Sequence, residues 1–221
     1  TRAFIASTSG LLIADAKASD NTNGAIQLLT NKFVSPVMWG DVEVAIAGAS
    51  SADVSGNSHP WTAVGGVTYV ANVDGPGGSY INLDASKEQY LYIPDHADFG
   101  AKAQFSAGGW FYRDVDSGST EVLFAHYGEL VDSRDFMVYI SGSDAISVNI
   151  KADGLVSSSG PAIAVGAWHY AAATYDGANQ RLYLDGALVD TDAQTGTTSN
   201  STEPLALGVS FSSGSTSGEN F

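Results

Sequence analysis

Residues 168–190 read WHYAAATYDGANQRLYLDGALVD, and the fold class is decided in this stretch. The run 168–175 predicts a strand, and Asp176-Gly177 opens the turn that follows it. A second run, 181–184, meets a third, 187–191, across the dipeptide Asp185-Gly186. Asp-Gly supplies the positive φ angles that a type I′ turn needs, so these two runs form a two-residue hairpin.

Outward from this block the same pattern repeats. Short runs rich in Val, Ile, Tyr and Phe lie at 42–47, 67–70, 80–83, 90–93, 105–113, 121–126, 136–140, 146–150 and 205–209, each bounded by Gly, Ser, Asp or Asn clusters. Twelve such strands without crossover helices predict an all-β chain of antiparallel sheets. Helical periodicity is nearly absent. Its best candidate, 14–29, is broken by Asp20, Asn21, Asn23 and Gly24. The first 40 residues carry Pro36, few alternations and several small polar residues, so they read as an arm, an attachment segment or a short extra hairpin pair. The stretch 210–221 is Ser/Gly-rich.

At 221 residues, 44% hydrophobic and 15% charged, the chain can bury a core without cross-links. Nine Lys plus Arg stand against 24 Asp plus Glu, a formal charge of −15. That field repels phosphate backbones and anionic lipid, which excludes nucleic acid as a partner and disfavours membranes. No apolar run approaches the roughly 18 residues of a membrane helix, so no membrane insertion is expected. Cysteine is absent, which removes disulfides, thiolate metal sites and a Cys nucleophile. The start at Thr1, without an initiator Met, is read as processing or trimming.

Five blocks, in order, carry a family resemblance. They are DVSGNSH (53–59) with GGVTY (65–69), GGSYINLD (77–84), YLYIPDHADF (90–99), FSAGGWF (105–111), and WHYAAATYDG (168–177) with RLYLDG (181–186). Together these resemble the laminin-G-like, concanavalin A-like jelly rolls of bacteria and phages, over roughly residues 41–221. The resemblance implies an antiparallel two-sheet jelly-roll sandwich at 41–221, preceded by the segment 1–40. It also implies a closing strand of the type G-x-I-D-E-V-R-I-Y about where the chain reaches Glu219, Asn220 and Phe221. That last family strand is missing from the sequence, through truncation or because a neighbouring chain supplies it by β-addition.

Catalysis finds little support. A retaining glycosidase needs two carboxyl groups about 5–5.5 Å apart. Asp41/Glu43 and Asp114/Asp116 have the formal spacing to share a strand face, but Asp114 and Asp116 run into the loop Ser117-Gly118-Ser119 and Asp41 and Glu43 flank a strand with a solvated face. The E-x-D-x-E run of concanavalin-like glucanases is absent. His59, His96, His126 and His169 are isolated in sequence, without zinc-ligand spacing. No G-x-S-x-G elbow or nucleotide-binding glycine loop occurs. The expectation is a binding or covering module, not an enzyme.

Along 105–113, Phe105, Ala107, Gly109 and Phe111 read as the core face, which leaves Trp110 and Tyr112 on the outer face. The resemblance implies sugar binding there by stacking of C–H faces on aromatic rings. The alternative is that Trp110 and Tyr112 are covered by the arm or pack in the core. Trp39 and Trp61 carry the same ambiguity. Calcium is the candidate cofactor, with Asp53, Asn57 and Asp84 as oxygen donors on loops. The competing reading of Asp53 and Asn57 is an Asx turn closed on their own backbone. Asn200-Ser201-Thr202 matches a glycosylation sequon as a pattern only.

Three functions follow, in order. The first is a phage virion protein (head decoration, fibre or tail component) with glycan adhesion. The second is a calcium-assisted lectin-like module of a bacterial secreted or surface protein, and the third a glycoside hydrolase. Expected partners are a glycan or protein surface, other copies of the chain, or other virion or surface proteins. The expected location is extracellular or on a virion surface.

Overall fold

The computed structural model describes residues 3–7, 10–14, 46, 50–53, 55, 57–71, 79–128, 134–212 and 215–216. The strands are β1 (Ala3–Ser7), β2 (Gly10–Ala14), β3 (Thr62–Val64), β4 (Thr68–Ala71), β5 (Ser79–Asn82), β6 (Tyr90–Ile93), β7 (Phe105–Tyr112), β8 (Glu121–Tyr127) and β9 (Arg134–Ile140). They continue with β10 (Ala145–Lys151), β11 (Leu155–Ala162), β12 (Trp168–Tyr175), β13 (Asn179–Leu184), β14 (Ala187–Ala193), β15 (Leu205–Leu207), β16 (Phe211–Ser212) and β17 (Ser215–Thr216). Two single turns of 3-10 helix cover Ala85–Lys87 and Ala97–Phe99.

Two antiparallel sheets make the body. One has the order β11-β10-β9-β8-β15-β6-β3, the other β14-β13-β12-β7. Three two-stranded pairs, β1-β2, β4-β5 and β16-β17, accompany them. The jelly-roll-type sandwich expected from the sequence is the architecture found.

Strand alternation places the core. Phe105, Ala107 and Phe111 turn inward from β7, as Ala171, Ala173 and Tyr175 do from β12. They meet inward residues of the larger sheet, and the rings of Phe105 and Phe136 lie 5.0 Å apart between the two layers. Each such Phe, Leu or Ile contributes about 1.5–3 kcal/mol on burial.

The hairpin read from Asp185-Gly186 is present. Asp185 has φ 51 and Gly186 φ 83, the two positive angles of a type I′ turn. The Asp185 carboxylate also accepts hydrogen bonds from the backbone N–H of Tyr170 (2.8 Å) and stands 2.9 Å from His169 Nδ1, so the turn grips the neighbouring strand β12.

Several elements differ from expectation. β11, LVSSSGPA, was not anticipated, because its stabilisation is polar. Ser158 Oγ donates to Asp192 Oδ2 at 2.6 Å and accepts from Gln180 Nε2 at 2.7 Å, while the Ser159 N–H reaches Asp190 Oδ2 at 2.8 Å. This seam joins the edge of one sheet to the edge of the other, and at an edge Pro161 is tolerated. β3 was too short to register, and β16-β17 falls in the Ser/Gly stretch. Of the expected strand 42–47 only Ile46 lies within the described residues, as a bridge to Asp53. Of the helix candidate 14–29, Ala14 belongs to β2 and residues 15–29 lie outside the described residues, as do Trp39 and the chain end at 217–221.

At the end of β7, Arg113 ties the layers together. Its side chain is 2% exposed and donates to Glu121 Oε2 (2.8 Å) and Oε1 (2.9 Å), to Asp144 Oδ1 (3.0 Å) and to the Ile163 carbonyl (2.6 Å). One guanidinium thus joins β7, β8, the β9–β10 turn and the segment before β12.

Candidate functional site

The register of β12 on β7 sets Trp168 opposite Tyr112 and Tyr170 opposite Trp110. Side chains two residues apart on a strand share a face, so these four aromatics project together from the side away from the core. Their rings meet in pairs, Trp110–Tyr170 at 5.4 Å and Tyr112–Trp168 at 5.4 Å. Tyr80 of β5 adds an edge contact to Trp168 at 5.8 Å. Trp110, Tyr112, Trp168 and Tyr80 are all half-buried. Tyr170 is half-buried as well, and desolvation of its phenol pushes it up to about 12.

The face changes character along the strands. Gly108 and Ala172 face each other where Trp110 and Tyr170 end. A Cβ on Gly108 would stand 2.9 Å from Tyr170 Oη and 2.9 Å from the Ala172 methyl group. The missing side chain therefore lets the Tyr170 phenol lie down across β7. The result is an aromatic shelf that steps to a floor of small residues.

Trp110 and Tyr112 thus sit on the outer face that the sequence suggested. Trp168 and Tyr170 were not singled out as site residues, since only the pairing of strands about 60 positions apart in the chain brings them alongside. Trp61 is a core residue, 3% exposed.

The oxygen donors considered for calcium are engaged locally. The Asp53 carboxylate accepts from the N–H (2.9 Å) and Oγ (2.8 Å) of Ser55 and from the N–H of His59 (2.9 Å), an Asx turn of the kind weighed above. Asn57 is exposed, and its N–H donates to Ser55 Oγ at 3.1 Å. Asp84 caps the 3-10 turn through the N–H and Oγ of Ser86 and pairs with Lys87 at 2.7 Å. The hydrogen bonds of Lys87 and Ser86 hold its carboxyl below the usual range.

The carboxylates weighed for hydrolysis have other duties. Asp116 accepts from Arg113 Nη2 (3.3 Å) and from the Gly118 N–H (2.8 Å), and Asp114 is exposed. Asp41 and Glu43 lie outside the described residues. For Glu121, burial would raise the carboxyl, but the hydrogen bonds from Arg113 and Ser117 outweigh it and hold it low.

Three histidines read as isolated in sequence converge at one end of the sandwich. The register sets Thr62 opposite Tyr92, so the loop entering β3 and the loop leaving β6 emerge side by side. His59 Nε2 lies 3.0 Å from Asp98 Oδ2, and His96 Nδ1 lies 3.2 Å from the same oxygen. Behind them Phe99 packs 5.0 Å from the His59 ring and 6.2 Å from His126. His126 is buried, its Nδ1 3.0 Å from Asp135 Oδ2. Desolvation pushes the Asp135 carboxyl up despite this partner. Among the described residues, no helix is long and apolar enough to cross a membrane.

Comparison with solved structures finds the same fold in domain 4 of AbnA, an extracellular GH43 arabinanase from Geobacillus stearothermophilus, solved in complex with arabinotriose. Its TM-score is 0.54 at 16% identity, over 73% of this chain and 79% of that one. The Ruminococcus gnavus IT-sialidase CBM40 bound to α2,3 sialyllactose is similar at a TM-score of 0.42 and 14% identity, over 55% of this chain and 70% of that one. Domains LG4-5 of the mouse laminin α1 chain are similar at 0.41 and 17%, over 50% of this chain and 30% of that one. Comparison with curated proteins finds no match by sequence. Residues 84–219 match the family model of the concanavalin A-like lectin/glucanases superfamily in its laminin-G form. That match spans more than half of the chain, which therefore belongs to this laminin-G-like family of the concanavalin A-like superfamily.

Proposed function

We propose that the protein is a non-catalytic carbohydrate-binding module that acts on an extracellular or virion surface. The observation that carries this reading is the registered block of Trp110, Tyr112, Trp168 and Tyr170, extended by Tyr80, on the outer face of the smaller sheet. Sugar rings present one face of C–H groups, and indole and phenol rings offer a flat, electron-rich surface with a polar edge for the hydroxyls. Trp168 and Tyr112, part-exposed and adjacent, form the stacking surface. Tyr170 and Trp110 support it from below the step.

The reading as a binder, not a hydrolase, rests on the carboxylates. A general acid for glycoside cleavage needs a carboxyl held protonated near neutral pH. Glu121 is held in the opposite sense by Arg113, and Asp135, which is raised, is buried inside the core against His126. Adhesion from a virion and adhesion from a bacterial surface use the same chemistry at this face. The comparison with an arabinotriose-bound domain supports placing arabino-oligosaccharides first in the test panel.

The test is a polysaccharide and oligosaccharide array probed with the wild-type protein in EDTA, alongside the variant Trp168→Ala. Selective binding that survives EDTA and falls at least tenfold in the variant is expected, with no release of reducing ends from the bound glycan. Retained binding in Trp168→Ala, or hydrolysis of the bound glycan, overturns the reading.

A further inference from the structure

We propose that His59, His96 and Asp98 form a binding site for a divalent transition-metal ion, with zinc as the ion the donors suit best. Two imidazoles and one carboxylate are a borderline-soft donor set that favours zinc and its late first-row neighbours over calcium or magnesium. The geometry is close to what the ion requires. Zinc bonds of about 2.0–2.1 Å in a tetrahedron place ligand atoms roughly 3.3 Å apart. His59 Nε2 and His96 Nδ1 stand 3.0 and 3.2 Å from Asp98 Oδ2, and the three ligand atoms lie within 4.8 Å of one another. The two imidazole nitrogens are the pair that must draw together, and His96, with half its side chain exposed, is placed to move.

The rest of the cluster is already held. The Asp53 carboxylate fixes the backbone N–H of His59 at 2.9 Å, and the His59 ring, 8% exposed, packs against Phe99. Asp98 stands in the 3-10 turn Ala97–Phe99, which His96 caps by accepting the Asp98 N–H at Nδ1 (3.2 Å). In that acceptor role His96 Nδ1 carries no hydrogen, and the ion takes its lone pair in place of the Asp98 N–H. On binding, the ion takes the place of the hydrogen between His59 Nε2 and Asp98 Oδ2. Three protein ligands leave further positions open to water on the exposed side.

This site lies at the end of the sandwich where β3 begins and β6 ends, and it does not depend on the sugar-binding reading. The test is equilibrium dialysis of the full, tag-free chain against zinc, with cobalt(II) as a spectroscopic probe. One equivalent of zinc per chain is expected, with visible cobalt bands of a low-coordinate site. His96→Gln and Asp98→Asn, both at half-exposed side chains, should weaken zinc binding at least tenfold while circular dichroism stays unchanged. Asp84→Asn, in the acidic turn before β6 begins, at the other end of that strand, should leave it intact. No retained zinc in the wild type, or equal retention in His96→Gln and Asp98→Asn, overturns the proposal.

Discussion

Replacing Arg113 by Met leaves Glu121 charged and 5% exposed at the start of β8. The variant loses both bonds to Glu121, the bond to Asp144 and the bond to the Ile163 carbonyl. Breaking one side of a buried ion pair costs about 3–5 kcal/mol. Glu121 keeps the N–H (3.1 Å) and Oγ (2.8 Å) of Ser117, which places the loss at the low end, about 3 kcal/mol. For a chain of this size that is a Tm fall of roughly 6–12 °C. The double variant Arg113→Met/Glu121→Leu removes the stranded charge as well and should recover more than half of the loss. The pH dependence separates this cause from lost packing. In the wild type the Glu121 carboxyl is held low, so its contribution is present above its unfolded value and fades as pH falls through the folded one. In Arg113→Met burial is opposed only by the two Ser117 bonds, so the carboxyl rises and the folded variant takes up a proton at a higher pH than the wild type. The gap between wild type and variant must therefore narrow between pH 7 and pH 4. Urea unfolding at a series of pH values reads both quantities. A loss below about 1 kcal/mol, or a gap that stays constant with pH, refutes the reasoning.

Other outcomes follow from single contacts. Gly108→Ala drives a methyl group against Tyr170 Oη and Ala172 and should cost about 1–3 kcal/mol by thermal unfolding. It should also weaken sugar binding, because Tyr170 can no longer lie across β7. Asp185→Ala loses the acceptor for the Tyr170 N–H and the partner of His169, and puts Ala, which tolerates the left-handed region less well than Asp, at φ 51, for a loss of about 1–2 kcal/mol. Asp185→Asn keeps the turn and one acceptor and should lose less than half as much in the same denaturation assay. The Asp176 carboxyl is held at about 2 by the Arg181 side chain and the N–H groups of Ala178 and Asn179. Its stabilisation is present above its unfolded value and disappears as pH falls through the folded one, so Asp176→Asn should flatten the acid limb of stability between pH 4 and pH 2.

The sandwich was legible in the sequence because its strands carry local signals. Asp185-Gly186 fixes a turn type by itself, and alternation in 105–113 sorts Phe111 inward and Trp110 outward without any partner strand. β11 was not legible, since Ser157, Ser158 and Ser159 resemble a loop until Asn149 of β10 takes the first and Asp192 and Asp190 of a distant strand take the other two. The same limit governs the sites. Trp110 and Tyr112 were visible as candidates, but the shelf is completed by Trp168 and Tyr170, which only non-local pairing brings alongside. His59 and His96 are separated by 36 residues and show no ligand spacing. Pairing β3 with β6 would have supplied the missing signal, because His59 precedes one strand and His96 follows the other.

The central claim is that a sugar stacks on the aromatic shelf of β7 and β12. Saturation-transfer-difference NMR with the array-selected oligosaccharide reads this contact directly, by irradiating aromatic protons of the protein. Strong transfer to the C–H protons of one ring face is predicted for the wild type, with near-complete loss in Trp168→Ala/Tyr112→Ala. Absence of transfer, or transfer undiminished in that double variant, contradicts it.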